Sequence, residues 1–75
     1  MDERLKDELH DVVHYAKMCK EATCEHDRRV FKDIARDEYS HAKHLAEMMK
    51  RHGTYTEPTT DWEIATEALH QLDWY

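Results

Sequence analysis

Apolar residues recur at the helical period through most of the chain, in three separate blocks. Leu5, Leu9, Val12, Tyr15, Ala16, Cys19 and Ala22 form one broad stripe, which predicts a helix from about Asp2 to Ala22. Asp2 and Glu3 suit the positive end of its dipole. A second stripe joins Phe31, Ile34, Ala35, Ala42, Leu45 and Met49, with Val30 and Met48 on one flank. It predicts a helix that opens on Glu25 and Asp27 and runs to about His52. Thr23 is the expected cap. Lys50, Arg51 and His52 followed by Gly53 are the cations and glycine that close a helix. After a polar linker from Thr54 to Pro58, Trp62, Ala65, Leu69 and Leu72 mark a short third helix. Thr60 and Glu63 have the spacing of a capping box at its start.

These elements define an all-α fold: a helical hairpin over residues 1–53, then a linker and a short amphipathic helix over 54–75. The first two helices, each about 30–40 Å long at 1.5 Å per residue, run antiparallel. The short third helix is too small to cover both wide stripes. A single core in 75 residues is marginal without a staple, a metal or a partner chain. Dimerisation into a four-helix bundle, with the third helices across an end or side, is the simplest way to bury the rest.

Polar residues interrupt the stripes at informative places. Glu8 lies near the middle of the first apolar face. Glu38 lies at the centre of the second, and His41 follows one turn later on the same side. Glu8 and His41 are equally distant from the point between Cys24 and Glu25, so an antiparallel hairpin brings Glu8, Glu38 and His41 to one level. An ionised carboxylate alone in a bundle core is costly. A two-fold axis beside the three groups would collect four carboxylates and two imidazoles, whose charge two divalent cations neutralise. Oxygen ligands with one imidazole per metal suit iron or manganese, and zinc is also accommodated. Residues three apart share a helix face, so the glutamate can bridge while the histidine binds one metal.

Glu8, Tyr15, Phe31, Glu38, His41, Ala42 and Leu45 together resemble the first half of a rubrerythrin or ferritin-like domain. The resemblance spans about Leu5 to Met49. Complete domains of that family hold two such hairpins, so this chain is most similar to single-hairpin members such as encapsulated ferritins. The resemblance implies a ferritin-like four-helix bundle made by a homodimer or a larger even assembly. It implies a di-iron site with Glu8, Glu38 and His41 as ligands, Glu38 bridging, and two irons per dimer. The activity implied is Fe(II) oxidation by oxygen or peroxide. The C-terminal Leu69-His70-Gln71-Leu72-Asp73-Trp74-Tyr75 does not resemble the shell-targeting tail of encapsulated ferritins. The rubredoxin-like cysteine pairs of full rubrerythrins are missing too.

The remaining polar residues leave alternatives open. Asp11, one turn after Glu8, reads as a ligand of an outer site or as a solvated rim. His44 flanks His41 and could reach a partner chain. Tyr15 could hydrogen-bond a ligating carboxylate, take a redox role, or simply pack. His10 and His14 form an i,i+4 pair facing away from Glu8, and a solvated face is the better reading. Cys19 and Cys24 read as one buried thiol and one free thiol, since the spacing with His26 makes a loose zinc set. Trp62, Trp74 and Tyr75 read as cover for exposed bundle surface or as a subunit contact.

Charge and composition narrow the function further. A net charge of −6 opposes binding to a nucleic-acid backbone or an anionic membrane. A single glycine excludes phosphate-binding and dinucleotide-binding loops. Two cysteines cannot make a dense disulfide framework, and no run resembles a signal peptide or a membrane span, so a reducing cytoplasm is the expected compartment. Two functions of different class remain. One is a di-iron oxidoreductase of ferroxidase or peroxidase type. The other is a non-catalytic helical dimerisation module with a structural metal or none.

Overall fold

The computed structural model describes residues 3–72. Three helices follow in order: α1, Arg4–Glu21; α2, Glu25–Arg51; and α3, Thr59–Leu72. The expectations for Asp2, Trp74 and Tyr75 lie outside the described residues. The long axis measures 43 Å, about the length of α2, whose 27 residues rise 1.5 Å each.

The helix ends show how local chemistry sets these bounds. Ala22 leaves α1 in an extended conformation, and its N–H donates to Met18 O at 3.0 Å. Cys24, not Thr23, is the N-cap of α2, and its side chain makes no capping bond. The turn is held instead by neighbouring groups. Arg28 Nε donates to Ala22 O at 3.2 Å, and the Cys19 thiol donates to Arg28 O at 3.3 Å. At the far end Gly53 has φ +73°. The Gly53 N–H donates to Lys50 O and the Thr54 N–H to Met49 O, the paired bonds of a Schellman motif. The left-handed conformation between them is the one that glycine adopts without steric cost.

The start of α3 differs from the capping-box expectation. The helix begins at Thr59, and the Trp62 N–H donates to Pro58 O at 3.0 Å. Thr60 therefore sits inside the first turn, and no hydrogen bond joins it to Glu63 among the described residues. Pro58 needs no N–H partner of its own, which suits it to the residue before a helix.

α1 is the central element. Its buried residues Leu5, Leu9, Val12, Ala16 and Cys19 all belong to the predicted stripe. They meet Ala35, Ala42, Ala46 and Met49 of α2 and Ala65 and Leu72 of α3. The α2 contacts are mostly alanines, so the two helix backbones approach closely. Ile34 and Leu45, larger members of the predicted α2 stripe, are only half-buried, while Ala46 takes a core place that the stripe did not include.

The third helix does not cross an end of the hairpin. It packs lengthwise on α1 and touches α2 only slightly. His10 Nε2 lies 3.1 Å from Asp61 Oδ1, and Lys20 Nζ donates to Gln71 Oε1. Both pairs are separated by 51 residues, so α1 and α3 run parallel and in one register. Trp62 closes the bottom of this layer. Its ring meets Tyr39 edge-on at 5.6 Å between centroids, and its Nε1 donates to Tyr55 Oη at 3.1 Å. The Tyr39 and Thr66 hydroxyls share a 2.8 Å hydrogen bond. No helix among the described residues is long and apolar enough to cross a membrane.

Candidate metal centre

Glu8 comes three residues after Leu5 and four before Val12, both buried. It therefore borders the core stripe of α1, on the side turned away from α3. Glu38 has the same relation to Ala35 and Ala42 on α2. The small alanines let the helices close in, and the two carboxyl groups meet across the gap with His41 one turn along. One ligand atom from each of Glu8, Glu38 and His41 falls within 4.8 Å of the others. His41 Nδ1 lies 3.9 Å from Glu8 Oε2 and 3.9 Å from Glu38 Oε1. Ligand atoms held around one ion at bond lengths of about 2.0–2.2 Å stand about 3–4 Å from one another. The two His41 distances fall within that range.

The site is half open. The side chains of Glu8 and Glu38 are 28% and 21% exposed, and that of His41 is 61% exposed. Within one chain the group is thus at the edge of the core, not in it, and His41 stands clear of the expected burial. The reason is that the face it borders has no covering helix. Even so, Glu8 Oε2 is buried and has no hydrogen-bond partner, an arrangement that costs free energy unless something compensates it.

The electrostatics agree with this picture. The Glu38 carboxyl is pushed up from its ordinary value of 4.5 to about 7. The foremost cause is proton sharing with the facing Glu8 carboxyl, followed by burial and by the charges of Glu8 and Asp11. His41 pulls in the opposite direction. A carboxyl whose ionised form is disfavoured by a neighbouring acid makes a site that a cation relieves. The donor set of two carboxylates and one imidazole fits iron, manganese or zinc.

The other sequence candidates fall outside the triad. Asp11 is exposed and adds its charge to the Glu38 environment, but it does not join the converging group. His44 is exposed and does not join it either. Tyr15 stacks on Phe31 with 6.4 Å between centroids, which is a packing role. His10 is joined to Asp61 across α1 and α3, a link that spacing on α1 alone gives no means to foresee. His14 lies edge-on to Tyr15 at 5.6 Å. Cys19 is buried and Cys24 exposed, both as free thiols.

No family model matches the chain, and no curated protein or solved structure matches it significantly.

Proposed function

We propose that this chain is a ferritin-like metal-binding protein that forms a di-iron carboxylate site between two copies and supports Fe(II) oxidation by oxygen or peroxide. The observation that carries the reading is the convergence of Glu8, Glu38 and His41 around a buried carboxylate oxygen without a partner. Three ligands leave a divalent ion under-coordinated, and the open side of the site is where a second triad would enter. That side is also apolar. Val30 and Met48 are 39% and 46% exposed, and Met18, Ile34 and Leu45 beside them are half-buried. A second copy laid on this face would cover them and produce the four-helix bundle.

In this reading Glu8 and His41 of each chain would together hold one metal, and Glu38 would be shared between the two. A paired iron site supplies two electrons, one from each ion, to an oxidant. The protein's own contribution is charge and placement. Four carboxylates stabilise the higher oxidation state, the alanine-lined contact of α1 with α2 fixes the distance between ligands, and the apolar face limits water around them. Manganese and zinc fit the same donors.

Native mass spectrometry after anaerobic Fe(II) loading and removal of loose metal tests the proposal. A dimer carrying two irons, or a larger even assembly with one iron per chain, is the expected result. Glu38→Ala should lose paired-iron binding, and unchanged stoichiometry in that variant would rule out the bridge. A metal-free dimer would overturn the metal site and favour the second reading, a helical interaction module. The half-exposed apolar residues around the triad are what favour that alternative.

A further inference from the structure

A second surface lies on the opposite side of α1. Lys17 follows Glu8 by nine residues, about half a turn away around the helix. There α1 and α3 enclose a groove of ≈ 430 Å³. Val13, Ala16, Ile64 and Ala68 form its apolar floor, and Ile64 is 51% exposed. The two rims carry opposite charge, with Lys17 and Lys20 on α1 and Glu63 and Glu67 on α3. All four are exposed, and among the described residues no ion pair joins one rim to the other.

The geometry points to a second copy of this chain as the occupant, docked about a two-fold axis that runs along the groove. Such an axis sets α1 of each copy against α3 of the other, basic rim against acidic rim, twice. The register supports the match. The 51-residue offset shared by His10 with Asp61 and Lys20 with Gln71 puts Lys17 one residue above the level of Glu67. Lys20 lies a turn higher and Glu63 a turn lower. A two-fold axis across the helices would instead oppose lysine rim to lysine rim, which like charges disfavour. The interface is isologous and self-complementary, with its apolar residues at the centre and charges at the edge.

Taken with the metal-face dimer, on which only this step rests, two different two-fold faces on opposite sides of α1 build assemblies larger than a dimer. The test is native mass spectrometry of the full chain at fixed concentration, with helicity checked by circular dichroism. The double variants Lys17→Glu/Lys20→Glu and Glu63→Lys/Glu67→Lys change only exposed residues. Each alone should fall from the larger assembly to the metal-face dimer while keeping the metal stoichiometry of the wild type. Mixing the two variants should restore the larger mass, because both contacts become complementary again. Unchanged mass in the variants, or a monomeric wild type, would overturn the groove interface. A wild-type dimer that the rim variants split to monomers would uphold the groove and refute the metal-face dimer instead.

Discussion

Replacing Glu38 by glutamine separates the cost of the site from its use. In the metal-free fold the Glu38 carboxyl is raised from 4.5 to about 7, foremost by proton sharing with Glu8 and then by burial. Between those two values the folded chain holds a proton that the unfolded chain has released. Stability from this group is therefore complete below pH 4.5 and declines as pH rises, levelling off above 7. At 1.36 kcal/mol per pH unit the full shift would be about 3 kcal/mol, and screening by the solvent that reaches this half-open carboxyl reduces the decline to about 1–2 kcal/mol. The Glu38→Gln variant keeps the shape and lacks the charge. With chelator present and protein concentration fixed, urea unfolding at pH 5 and pH 8 should find the two proteins similar at pH 5. At pH 8 the variant should be more stable by about 1–2 kcal/mol, or a midpoint higher by about 1 M. The comparison cancels the titration of the acids and histidines remote from Glu38. Parallel pH profiles for the two proteins would refute the reasoning, since they would mean that Glu38 ionises in the fold as easily as in the open chain. With metal present the order at pH 8 should reverse, because the variant loses a ligand and the wild type gains binding free energy.

Two further outcomes concern the scaffold. Leu9 is fully buried in the core cluster that α1 shares with α2 and α3, and Leu9→Ala should cost about 2–5 kcal/mol, seen as a lower thermal midpoint; a loss under about 1 kcal/mol would mean that the α1 core collapses freely around the gap. Gly53→Ala meets no steric contact, since nothing lies within 4 Å of an added Cβ, but φ is +73°. Its cost should be about 1 kcal/mol of backbone strain, measured by urea unfolding with metal stoichiometry unaltered.

The candidate site was legible because two simple rules act on it. Helical period fixes the face on which Glu8, Glu38 and His41 lie, and a three-residue turn fixes how an antiparallel hairpin pairs them. Both operate on nearest neighbours in sequence, and the turn between α1 and α2 leaves no slack. The degree of burial was not legible. His41 was expected on a covered face and stands 61% exposed, because burial depends on what lies above the hairpin. Local competition decided the caps. Thr23 and Thr60 have the right side chains, but Cys24 and Pro58 occupy the positions where the backbone enters each helix.

Sequence by itself thus determined three helices, the stripe of α1, the glycine stop after α2 and the level at which the two glutamates and the histidine meet. Tertiary structure alone decided where α3 lies. The linker is long enough to reach either side of the hairpin, so its course depends on the combined fit of side chains from all three helices. Val13, Tyr39 and Trp62 draw α3 along α1, away from Glu8. That choice leaves the face beside the triad uncovered, and it creates the charged groove on the opposite side of the same helix.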